Sequence, residues 1–105
     1  PNAKILYDLA DELGIYVYAE ANVESHYGAY GDHKVPIPGG DSRWVTPVLD
    51  RNMNMLELLK NHASIIGWSY GNEATYTRCP LDNTYCFWAA AMAVLNRDPS
   101  RLRMY

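Results

Sequence analysis

No stretch of the chain approaches the roughly 20 consecutive apolar residues that a bilayer-spanning helix needs, so no membrane span is expected. A large charge of either sign is also missing. Nine Lys and Arg against twelve Asp and Glu leave a formal net charge of -3, which gives no electrostatic case for nucleic acid or an acidic membrane. Cysteine is scarce. Cys79 and Cys86 have six residues between them; the spacing is not CxxC and no histidine is near, which argues against zinc and for two free thiols. A local disulfide stays open if the protein is secreted. Low-complexity tracts and internal repeats are absent, and no signal-like start gives an address.

The remaining composition is that of a globular chain, with 49% apolar and 20% charged residues. A length of 105 residues allows one small domain or a piece of a larger one. The opening "PNAKILYDLADELG" enters a helix almost at once, as expected of a single segment, residues 1–105, taken from inside a longer protein.

Asn2 can cap that first helix, and Leu6, Leu9, Ala10 and Leu13 fall on one face at helical spacing. Gly14 stands in the usual position after a helix end. "IYVYAE", residues 15–20, follows as a strand with little alternation, the pattern of a strand buried on both faces of a parallel sheet. Residues 24–44 form a long loop rich in glycine, proline and aromatics, a length that marks a functional segment or disorder. Thr46 and Pro47 read as N-cap and first residue of a second helix, with Leu49, Met53, Leu56 and Leu59 as its buried stripe. "SIIGWS" is a second strand. A third helix is expected from about Asp82 to Leu95, with Tyr85, Trp88, Met92 and Leu95 in register; "DPS" breaks it and "RLRMY" begins a third strand.

The order is α/β throughout, with short returns from helix to strand and long excursions after strands. Such alternation fits parallel strands in a (β/α) barrel or doubly wound sheet. In barrels the loops after strands build the active site, and the chemically capable groups collect there. Glu20 ends the first strand, Glu24 and His26 follow it, and Asn72 and Glu73 follow the second. If the strands are parallel neighbours, these groups emerge together, and Glu73 at the rim of a pocket can be partly desolvated and keep its proton near neutral pH. The bland readings are real competitors: a glutamate at a strand end is more often a cap or surface charge, and Trp68 is core before it is a ligand platform. His62, near a helix end, reads as structural and His33 as a loop residue. Tyr27, Tyr30 and Trp44 either stack on a sugar or pack the loop down.

"EANVESH" at 20–26 followed by "NHASIIGWSYGNE" at 61–73 resembles the catalytic barrel of the family 2 glycoside hydrolases, and within them the β-galactosidases. "DPSR" at 98–101 and the opening "PN" agree, so the resemblance covers the whole chain. It implies a fragment, half or less, of a (β/α)8 TIM barrel, and a retaining enzyme that removes terminal non-reducing β-D-galactose. Glu73 would be its general acid/base and Asn72 a ligand of the sugar 2-hydroxyl. Glu24, His26 and Glu73 would hold Mg²⁺. The nucleophile would lie beyond Tyr105, so the segment alone would be inactive and would need the rest of the parent barrel as partner; the parent's oligomeric state is open. Where the family often has Ser-Gly after the glutamate, this chain has Ala74-Thr75. The competing implications are a family 2 β-glucuronidase or β-mannosidase, or a non-catalytic carbohydrate-binding relative.

Overall fold

The computed structural model describes residues 1–25, 38–39, 41–74 and 85–105. His26, Tyr27, Tyr30, His33, Cys79 and the expected helix start at Asp82 lie outside them. The described elements are α1 (Lys4–Leu13), β1 (Val17–Glu20), α2 (Val45–Leu59), β2 (Ile65–Ser69), α3 (Tyr85–Arg97) and β3 (Leu102–Met104), with a short 3-10 turn at Ser42–Trp44 leading into α2. The strands form one parallel sheet in the order β1-β2-β3. Ala19 lies opposite Trp68 and Glu20 opposite Ser69; Gly67 lies opposite Leu102 and Ser69 opposite Met104. Parallel neighbours joined by helices are the repeating unit of a barrel wall.

The core lies between one face of this sheet and the helices. Ala19, Trp68 and Tyr70 meet Val48, Met55, Leu56 and Leu59 of α2 and Cys86, Phe87, Ala90 and Val94 of α3. Side chains alternate along a strand, so the opposite face carries Tyr18, Glu20, Leu102 and Met104, all exposed, with Leu102 at 61%. Among the described residues the sheet is therefore covered on one side only, and β1 is not the doubly buried strand that its weak alternation suggested. The uncovered side is what an open piece of a barrel exposes.

Helix faces differ from the expected ones. On α1 only Tyr7 and Ala10 are buried, while Leu6, Leu9 and Leu13 stay exposed. Ala3 rather than Asn2 stands at its N-cap, with no side-chain cap bond, and the Asn2 backbone amide donates to the Tyr7 hydroxyl at 3.0 Å. Gly14 does close the helix, in the left-handed conformation at φ 68 that glycine adopts without penalty. On α2 the N-cap is Trp44, ahead of Thr46 and Pro47, and the buried stripe is Val48, Asn52, Met55, Leu56 and Leu59. On α3 Cys86, Phe87, Ala90 and Val94 face inward and Trp88 points out at 66% exposure.

Two polar clusters join the helices to the sheet. Trp68 is fully buried, and its Nε1 donates to Asp98 Oδ2 at 3.0 Å. Asp98 also accepts from the Ser100 hydroxyl at 2.6 Å and from Arg101 at 2.6 Å. Arg101 in turn donates to the backbone oxygens of Lys60, His62 and Ile65, at 2.9, 3.2 and 2.8 Å, so one guanidinium ties the turn between α2 and β2 to the start of β3. Burial alone would raise the Asp98 pKa, but the Ser100, Arg101 and Trp68 donors outweigh it and hold the carboxyl well below the usual range. The second cluster docks α1. Asp11 accepts from His62 Nδ1 at 2.7 Å and from the Ser64 amide at 2.7 Å, which gives His62 the structural role expected of it.

Removing Asp98 leaves the Trp68 indole without its acceptor and Arg101 without its carboxylate partner. Asp98→Ala should lower the opening free energy of β2 amides by about 2 to 4 kcal/mol, read by hydrogen exchange in the full-length protein; an unchanged β2 would refute the staple. Hydrogen bonds from Ser64 and then His62 lower the Asp11 pKa to about 2. The unfolded value is about 3.9, so this contribution is present above pH 4 and is lost as pH falls toward 2. Protection of the Ser64 amide, corrected for intrinsic exchange, should decline through that window, whereas the β2 amides hold longer.

Candidate active site

The pairing of β1 with β2 does not end at Glu20 and Ser69. The Ala21 amide donates to Ser69 O at 2.9 Å, the chain turns, and the two segments meet again where Asn72 N donates to Val23 O at 2.9 Å. An isolated parallel bridge joins Glu24 to Asn72. The Asn72 side-chain amide also approaches Glu24 Oε1 at 3.4 Å. Hence two of the residues singled out from the sequence, Glu24 and Asn72, stand side by side beyond the carboxyl ends of adjacent parallel strands, with Glu73 next in the chain. His26 lies outside the described residues.

Gly71 makes this meeting possible. Its φ of 147 and its contact with Val23 leave no room for a side chain: a Cβ there would fall well inside contact distance of the Val23 carbonyl oxygen and 3.0 Å from the Val23 Cβ. Two residues on, Glu73 adopts φ 50, the single positive-φ residue other than glycine among those described. Left-handed backbone is unfavourable for a residue with a Cβ and collects at functional sites. The segment is held from both sides. Ala74, 1% exposed, donates its amide to the Tyr105 hydroxyl at 2.9 Å and accepts from the Gly39 amide at 3.0 Å.

Other polar groups have assigned places. Glu20 accepts from the Ser69 hydroxyl at 2.7 Å on the uncovered face. Arg51 donates to Asn22 O at 2.7 Å, bracing the turn that leads to Val23. Buried Asn52, missed by the apolar periodicity, donates to Val48 O at 2.9 Å and to Tyr70 O at 3.4 Å, at the exit of β2. Its spacing of four from both Val48 and Leu56 was the available signal. Trp44 lines a cavity of about 300 Å³ that it shares with Glu24, Pro38, Pro47 and Arg51. Glu20 and Glu24 together line a more polar one of about 230 Å³ with Tyr7 and Tyr18.

One feature differs from expectation. Glu73 is exposed, so the described residues do not supply the desolvation expected of it. Glu24 and Glu73 bring the hard oxygen donors that Mg²⁺ takes, and the third expected ligand, His26, lies outside the described residues.

The glycosyl hydrolases family 2 TIM barrel domain model matches residues 1–105. The chain belongs to that family. It is 38% identical over its full length to a β-galactosidase of Lactobacillus delbrueckii subsp. bulgaricus and 38% identical over its full length to one of Halalkalibacterium halodurans. A β-galactosidase of Priestia megaterium is 45% identical over 70% of the chain. The chain spans about a tenth of the length of the first two relatives. A three-stranded parallel sheet with its helices corresponds to part of the eight-stranded wall of a TIM barrel.

Gly71→Ala should part Val23 from Asn72. In the full-length protein it should reduce protection of the Asn72 amide at least tenfold, a loss of about 1.4 kcal/mol, with β2 itself little changed. Equal loss throughout β2 would show that the glycine serves the sheet and not the site.

Proposed function

We propose that this chain is a segment of the catalytic barrel of a retaining β-galactosidase, which hydrolyses terminal non-reducing β-D-galactose from its substrates. The observation that carries the reading is the bridge between Glu24 and Asn72, which brings Asn72-Glu73 to the carboxyl end of β1, where barrel enzymes place their chemistry. The full-length similarity to β-galactosidases supports the choice of sugar.

In this reading Glu73 is the general acid. It gives its proton to the glycosidic oxygen as a second carboxylate, outside this chain, attacks the anomeric carbon and the bond to the leaving group breaks. The resulting carboxylate of Glu73 takes a proton from water, whose oxygen displaces the enzyme carboxylate from the anomeric carbon and frees galactose. Asn72 donates to the sugar 2-hydroxyl, a contact that strengthens as positive charge develops on the ring. Glu24, His26 and Glu73 are the residues that would hold Mg²⁺, and the cation would bias the acidity of Glu73. In this reading the second carboxylate comes from outside the segment, and the segment by itself is inactive.

Glu73→Gln in the full-length protein should lower kcat/KM for alkyl β-galactosides by about 10²- to 10⁴-fold. That for a dinitrophenyl galactoside, whose leaving group needs no proton, should fall far less. Unaltered alkyl galactoside hydrolysis would exclude Glu73 as the acid. A wild-type preference for glucuronides or mannosides would move the chain to another sugar, and carbohydrate binding without turnover would mark a binding module.

A further inference from the structure

The strained backbone at Glu73 needs something to hold it. On its amino side the holders are Gly71 and the Asn72 to Val23 hydrogen bond. On its carboxyl side the contact comes from a different strand. Tyr105 directly follows β3, and its hydroxyl oxygen accepts from the Ala74 amide at 2.9 Å. We propose that Tyr105 is a positioning residue for Glu73, fixing through Ala74 the left-handed backbone from which the carboxyl group is presented.

Three observations give the contact this weight. First, the ring of Tyr105 is itself fixed. It packs against Phe87 of α3, which is buried, with centroids 4.4 Å apart and planes at 46°. Its backbone follows Met104, which is paired with Ser69 and accepts from the Tyr70 amide at 3.1 Å. The hydroxyl oxygen is thus carried by the sheet and by α3 together.

Second, Ala74 is buried, so its amide has no ready exchange of partner for water. Without the Tyr105 oxygen the donor is left unpaired unless the backbone turns. The nearest unfavourable torsion available to relax is that of Glu73.

Third, the Gly39 amide closes the other side by donating to Ala74 O at 3.0 Å, so both polar groups of that one residue are clamped, one by the strand that follows and one by the segment after β1. Such double clamping is spent on Ala74, which has no chemistry of its own, immediately after a residue that does.

The inference rests on the reading of Glu73 as general acid/base, and the test separates the two. Tyr105→Phe in the full-length protein removes the acceptor and keeps the ring against Phe87. Its kcat/KM for methyl β-galactoside should fall about tenfold, while kcat/KM for dinitrophenyl β-galactoside should stay within about twofold, because only the first needs a well-placed proton. Exchange of the Ala74 amide should speed up in parallel. Equal losses on both substrates, or none on either, would overturn the positioning role. Glu73→Gln is run alongside: if it discriminates between the leaving groups and Tyr105→Phe does not, the positioning role alone is lost. If neither does, the acid assignment falls first. Should Tyr105→Phe fail to fold, Phe87→Leu, which keeps the oxygen but loosens the ring, must give a smaller loss with the same leaving-group dependence, and a flat response there overturns the proposal as well.

Discussion

The hydrogen bond from the Asn72 amide to the Val23 carbonyl, at 2.9 Å, is the contact on which the placement of the candidate site depends. Parallel strands pair through evenly spaced, slanted bonds, and β1 and β2 stop doing so after Glu20 and Ser69. Left alone, the two exit segments would diverge and carry Glu24 and Glu73 apart. They meet again because Gly71 has no Cβ to keep the backbones separated. Everything polar at this edge inherits its position from that approach: the Glu24 to Asn72 bridge, the left-handed turn at Glu73, and the amide of Ala74 aimed at Tyr105.

A close approach of two backbones is only as rigid as the layer beneath it. Here that layer is the Trp68, Asp98 and Arg101 cluster and the Asn52 amide, which fix the two ends of β2. Arg101 gathers carbonyls before the strand begins, and Asn52 reaches Tyr70 O where it leaves. Hydrophobic burial around Leu56, Leu59, Ala90 and Val94 supplies most of the stability and little direction. The directional bonds hold β2 in register. A carboxylate as strongly partnered as Asp98 keeps its charge inside the protein because each of its donors offsets part of the desolvation.

The order of elements was legible because it rests on local signals. Gly14, the two apolar strand runs and the break at Asp98-Pro99 each act through the backbone of their own residues. The family was legible because two motifs hold several polar residues at fixed positions. Helix faces were less so. Periodicity reports apolar side chains, whereas burial depends on which face the sheet covers, so Leu6, Leu9, Leu13 and Trp88 stay outside while Asn52 goes in. The site divides the same way. Glu24, Asn72 and Glu73 stood out as residues, and the meeting of Glu24 with Asn72 followed from parallel neighbouring strands. The backbone turn at Glu73 and its contact with Tyr105 were not readable, since both depend on where a strand thirty residues later in sequence comes to lie.

The exposure of Glu73 states a physical requirement. To act as an acid, a carboxyl group needs a low-dielectric wall or a neighbouring negative charge that favours its protonated form. The described residues place it beyond the carboxyl end of β2 with its side chain exposed. They also leave uncovered the sheet face that carries Tyr18, Leu102 and Met104. Closing a barrel over that face would bury these side chains, exclude water from the strand ends, and bring the inward side chains of other strands toward Glu73. The uncovered face is therefore the feature through which the proposed chemistry would become possible.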